Sequence, residues 1–98
     1  MRHEAATVFE LSRVAELAGL PGETLTKLAR EMERHELASG EELDPDDRVA
    51  LVLGGMLTGA GGVLHPGDRL SGRARALTPA AVGTCPKDTY DRVVGASG

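Results

Sequence analysis

Between Leu37 and Asp68 the chain is cut into short apolar runs, none longer than six residues, each closed by Gly, Pro or Asp. Ala38-Ser39-Gly40-Glu41-Glu42-Leu43 leads to Arg48-Val49-Ala50-Leu51-Val52-Leu53-Gly54-Gly55. Gly59-Ala60-Gly61-Gly62-Val63-Leu64 and His65-Pro66-Gly67-Asp68 follow. Runs of this length cannot complete a helix face, but they suit hairpins of short strands. The aliphatic residues fit a pleated, half-buried surface, and Gly supplies the positive φ that tight turns require. The segment is therefore expected to form a small antiparallel β-roll.

The flanks read differently. Val8, Leu11, Val14, Ala15, Leu17 and Ala18 recur at helical spacing over residues 5–18, and Gly19 is a good stop. Leu20-Pro21-Gly22 is a turn. Leu25, Leu28, Ala29 and Met32 then predict a second helix from about Glu23 to His35. On its outer face Lys27 and Glu31 would attract, while Arg30 and Arg34 would repel. Asp44-Pro45-Asp46-Asp47 reads as a loop tip. After the roll, Leu70, Ala74 and Ala76 alternate with Arg73 and Arg75, the period-two pattern of a strand, until Thr78-Pro79 breaks it. Ala80 to Gly83 is a further short strand. Thr84 or Cys85 can cap a last helix of about Pro86 to Val94, with Pro86 in its first turn and Tyr90, Val93 and Val94 on one side. Residues 95–98 should fray.

Bulk properties narrow the class. Ninety-eight residues make one domain with a modest core, and with one Phe, one Tyr and no Trp that core must be aliphatic. Thirteen glycines favour a turn-rich β fold over a bundle. A formal net charge of −4 offers no overall field for nucleic acid. The single Cys85 excludes an internal disulfide and any cysteine-based metal cluster, which fits a reducing cytoplasm. No apolar run reaches the length of a membrane span, and no secretion signal is evident at the start.

The order of motifs resembles the cyclic nucleotide-binding domain of the catabolite-activator superfamily. The family's aliphatic-x-Gly-Glu-x-Leu turn is similar to Leu37-Ala38-Ser39-Gly40-Glu41-Glu42-Leu43. Its Val-Leu-x-Gly strand end is similar to Val52-Leu53-Gly54-Gly55. Its Leu-x-Pro-Gly-Asp turn is similar to Leu64-His65-Pro66-Gly67-Asp68. The likeness covers about residues 14–94. It implies an α+β domain of two N-terminal helices (within residues 5–35), a jelly-roll-like antiparallel β-roll (36–83) and a short C-terminal helix (84–94). It also implies a departure. Family members that bind cyclic nucleotides carry, after Pro-Gly-Asp, a cassette beginning Phe-Gly-Glu-x-Ala, with a short helix and an Arg for the cyclic phosphate. Here Asp68 is followed by Arg69-Leu70-Ser71-Gly72-Arg73-Ala74 and then by the late strand. Gly72 matches the cassette Gly, but Arg73 stands where its Glu would be. Gly72, Arg73, Ala74 and Arg75 are thus the candidate ligand-facing residues, with Arg73 or Arg75 available to a phosphate. The plainer reading makes both arginines solvent-facing strand residues. With only about one and a half turns expected after Pro86, the family's usual dimer through a long helix is not expected either.

A rival resemblance is the helix-turn-helix of bacterial repressors over Val14 to Leu28. It would turn Thr24, Thr26 and Lys27 to a DNA groove. Glu23, Glu31 and Glu33 would then meet phosphates with the wrong sign.

Other chemistry finds little support. His3, His35 and His65 share no ligand spacing with one another or with Cys85, and the Asp44–Asp47 loop lacks the glycine and distal Glu of a calcium hand, so no metal is expected. Cys85 has no adjacent base and reads as a small buried residue. Ser12, Ser39 and Ser71 sit in no nucleophile elbow, and Glu41 and Glu42 are turn neighbours pointing apart. No cofactor and no catalytic residue is expected. The sequence predicts a non-catalytic cytoplasmic regulatory or adaptor module that binds a protein partner and not a cyclic nucleotide. The alternatives are a small DNA-binding regulator and a cyclic nucleotide sensor with an altered cassette.

Overall fold

The computed structural model describes residues 10–14, 17 and 19–95. Seven strands and two helices of eight or more residues follow one another in these residues. They are helix α1 (Gly22–Glu31), strands β1 (Glu33–Leu37), β2 (Glu42–Leu43), β3 (Arg48–Gly54), β4 (Leu57–Gly59), β5 (Gly62–Leu64), β6 (Ala74–Ala76) and β7 (Ala80–Pro86), and helix α2 (Lys87–Gly95). All pairings are antiparallel, in two sheets ordered β1-β7-β3 and β2-β6-β4-β5. The α+β class and the short-stranded roll match the sequence reading.

The three-stranded sheet is the middle layer. Along β3, Ala50 and Val52 face the second sheet and, with Ala80 and Val82 of β7, pack against Leu57, Leu70, Ala74 and Ala76. Val49, Leu51 and Leu53 face the other way, into a cluster with Leu25, Leu28, Ala29, Cys85 and Tyr90. Period-two alternation normally separates an apolar face from a wet one. Here both faces of β3 and β7 are buried, which explains why Val49 to Leu53 is a continuous apolar run.

The lead-in differs from the predicted helix over 5–18, most of which lies outside the described residues. Glu10 and Leu11 are helical. Tight i→i+3 turns follow, with the amides of Arg13, Val14, Leu17 and Leu20 donating to the carbonyls of Glu10, Leu11, Val14 and Leu17 at 2.9–3.1 Å. Three residues per turn stacks every third side chain on one side. Leu11, Val14 and Leu17 are accordingly buried, with Leu20 packed beside them.

Helix α1 ends four residues before the predicted limit at His35. Met32 is already extended (φ −90°, ψ 141°), and Glu33, Arg34 and His35 pair with Thr84, Gly83 and Val82. The polar run Glu33-Arg34-His35-Glu36 suits a helix surface by itself. It becomes a strand because β7 offers it a ladder. The expected repulsion between Arg30 and Arg34 therefore does not arise on a shared helix. At the other end β7 is longer than the four residues predicted. Thr84 and Cys85 belong to the strand and cap nothing, Pro86 closes the strand, and α2 begins at Lys87. Its nine residues make about two and a half turns. Tyr90 is buried, with Val93 and Val94 half-buried beside it, as their spacing predicted.

Candidate functional site

The turn His65-Pro66-Gly67-Asp68 sets the course of the chain toward the candidate residues. Gly67 takes φ +99°, and the His65 amide donates to the Asp68 carboxylate at 2.7 Å. The chain then lies along the outer edge of β3. The Val52 amide donates to the Asp68 carbonyl, the Gly67 amide to the Val52 carbonyl, and the Leu70 amide to the Ala50 carbonyl, at 2.8–2.9 Å. Arg69 makes an isolated antiparallel bridge with Leu51, and Leu70 is buried in the roll. The Arg69 guanidinium stands over the Tyr90 ring, 5.3 Å from its centroid, and so ties this segment to α2. Ser71, Gly72 and Arg73 form an exposed bend, and β6 starts at Ala74.

Residues 69–73 are thus an edge bridge and a bend, with no helix. An anion held at a helix end needs several free amides converging on one point. Here the Leu70 amide is already bonded to β3. The four candidate residues are contiguous, but the strand sends them apart. Ala74 packs into the roll, Arg75 points out beside Glu42 and Thr58, and Gly72 and Arg73 are exposed. Arg73 lies 3.8 Å from Glu42 and 3.7 Å from Asp44. A shallow depression of about 360 Å³ is lined by Glu42, Thr58, Gly59, Ala60, Arg73, Ala74 and Arg75. Its two guanidinium groups share the space with acidic neighbours, so an entering phosphate competes with carboxylates for Arg73.

The Gly40-Glu41 turn serves the fold. The Gly40 amide donates to the Ala76 carbonyl (2.7 Å), the Ala76 amide to the Glu41 carbonyl (2.8 Å), and the Glu41 carboxylate accepts from the Ala38 amide (2.6 Å). The groove-facing set does not form an exposed edge: Thr24 is buried, Thr26 bonds back to the Gly22 carbonyl at 3.0 Å, and Lys27 alone is exposed. Cys85 is fully buried, and burial pushes its thiol pKa up, with the positive charge of Arg48 opposing in part. The acidified thiol that a helix start would give is absent. Among the described residues no three His, Cys, Asp or Glu side chains cluster to hold a metal.

Sequence reasoning missed one polar arrangement. Arg34 Nη1 and Nη2 donate to both carboxylate oxygens of Glu10, at 2.6 and 3.4 Å, and Nε donates to Glu36 at 3.0 Å. These contacts raise the Arg34 pKa, its hydrogen bond to Glu10 being the largest cause. The group borders a depression of about 420 Å³ floored by Gly54, Gly55, Ala80 and Ala81. Nothing local signals it, because Glu10 and Arg34 lie 24 residues apart and the strand assignment of Arg34 depends on β7.

No protein-family model matches the chain, and no curated protein sequence does. Solved structures do. The sensor domain of the transcriptional regulator DNR from Pseudomonas aeruginosa superposes with a TM-score of 0.75 at 13% identity, covering 99% of this chain and 82% of that one. This chain has the cyclic nucleotide-binding-like fold. A cyclic nucleotide-binding-like protein from Brucella abortus matches at TM-score 0.63 and 21% identity, over 91% of this chain and 97% of that one. The regulatory subunit of a cAMP-independent protein kinase A from Trypanosoma cruzi, bound to guanosine, matches at 0.73 and 16%, over 96% and 42%. The chain thus spans about two fifths of that kinase subunit's length.

Proposed function

We propose that the chain is a non-catalytic regulatory or adaptor module that acts by binding a protein partner and takes no cyclic nucleotide. The observation that supports this most is the course of Arg69 to Arg73. Arg69 and Leu70 are bonded to the edge of β3 and Ser71 to Arg73 form an exposed bend, so the segment supplies no helix N-terminus for a phosphate. Arg73, the arginine best placed to replace it, already faces Glu42 and Asp44. Neighbours of this fold are described as regulatory subunits and a sensor domain, which favours a regulatory role over catalysis. Duplex binding is disfavoured by the burial of Thr24.

The test is thermal unfolding with 1 mM cAMP, cGMP or guanosine. A ligand bound at 10 μM would add about 2.7 kcal/mol, enough to raise Tm by roughly 10 °C or more in a domain of this size. The expected shift is under about 1 °C for all three. A shift of several degrees that Arg73→Ala removes would restore the sensor reading and end this one.

A further inference from the structure

The outward face of the four-stranded sheet has a composition unlike the rest of the surface. Leu57, Ala74 and Ala76 point inward and are buried. Alternation therefore turns Thr58, Arg75, Met56 and Leu77 outward. Register places Glu42, Arg75, Thr58 and Val63 in one cross-strand row, since Glu42 pairs with Arg75, Arg75 with Thr58, and Thr58 with Val63. Leu77 lies beside Met56 in the next row, its amide donating to the Met56 carbonyl at 2.8 Å. Val63, Leu77 and Met56 are 50%, 43% and 36% exposed, and they are the exposed large hydrophobic residues among those described. All three fall on this one face.

Its charges also differ. The chain carries −4 overall, so two copies repel at most approaches. On this face Arg75 stands beside Glu42, and Arg73 beside Glu42 and Asp44, so two cations balance two carboxylates. An acidic or basic partner would find no matching field here. A second copy would, because each brings the same Arg75–Glu42 couple and the same apolar strip, and a two-fold contact needs a self-complementary patch. We infer that this face is where two copies of the chain associate, sheet against sheet, with Val63, Met56 and Leu77 at the centre and Arg75 set against the partner's Glu42. Four strands at about 4.8 Å spacing give a face roughly 19 Å across. A patch of that width falls below a standard interface, so the association is weak and reversible.

Sedimentation equilibrium of the full chain from about 5 μM to 1 mM tests this. The expected result is a reversible monomer–dimer equilibrium. Val63→Glu should weaken it about tenfold or more without moving Tm, since Val63 supports no core. Glu42→Arg or Arg75→Glu alone should each weaken it by creating like-charge contacts. The double exchange should bring Kd back to within about threefold of the parent. A chain monomeric at 1 mM, or a dimer indifferent to Val63→Glu, overturns the inference, as does a double exchange no better than the singles. A monomeric chain leaves the adaptor reading standing, whereas a cyclic nucleotide shift ends that reading and leaves the dimer test untouched.

Discussion

Gly55 shows how a single atom is constrained in this fold. It sits at φ +77°, and a Cβ there would come 2.4 Å from the Pro79 carbonyl oxygen and 2.7 Å from the Ala80 Cα. Both contacts are backbone, so nothing flexible can give way. Gly55→Ala is expected to lower stability by at least about 2 kcal/mol in urea unfolding. Gly61→Ala meets open space and should change it by less than about 0.5 kcal/mol. The sequence marks both glycines as turn residues, but the left-handed φ of Gly55 and the close pass of Pro79 distinguish them, and that contact spans the β3–β4 and β6–β7 turns. Cys85 gives a pH expectation. Burial raises its thiol pKa above the unfolded value. Its contribution is therefore intact below the ordinary thiol range and is lost as pH climbs past about 8.5 toward the folded value, where the unfolded chain ionises first. Between pH 8 and 10 the parent should lose more stability than Cys85→Ala does. Ellman's reagent should not react with the folded chain.

At the scale of elements, the short glycine-closed strands were readable because their limits are local. The positive φ at Gly40 and Gly67 falls in the turns that the spacing pointed to. The errors share a different cause. Glu33 to His35 reads as the end of a helix, and Thr84-Cys85-Pro86 as a helix start, because both stretches have suitable local chemistry. Each is overruled by the other, as β1 and β7 are long-range partners whose pairing replaces what either would do alone. The placement of Ala74 and Arg75 on opposite faces was legible from alternation, but the shared surroundings of Arg73 with Glu42 and Asp44 required the β2–β6 register. The lead-in depends on a long-range contact too. Glu10 and Arg34 are each about one-fifth exposed, so their ion pair is partly shielded from salt. Glu10→Gln is expected to cost about 1 kcal/mol, and the loss should shrink in 1 M NaCl. An equal loss at both salt concentrations would assign the effect to packing.

For the whole molecule, the three layers decide how the fold fails. Leu51 serves the helix-side cluster and Val52 the inter-sheet cluster, yet they are chain neighbours on β3. Leu51→Ala should cost about 2–5 kcal/mol and Val52→Ala somewhat less, large fractions of the 5–15 kcal/mol expected of a domain. Both losses should appear in one transition seen alike by far-ultraviolet circular dichroism and Tyr90 fluorescence. Calorimetric and van't Hoff enthalpies should agree. The deeper consequence comes from β3 and β7 facing two ways. A ribbon clad on both sides is a party wall: neither room can be emptied while the other stays furnished. A binding event on the outer sheet would therefore be felt at the helices as stiffening of the common wall, with no moving hinge in between.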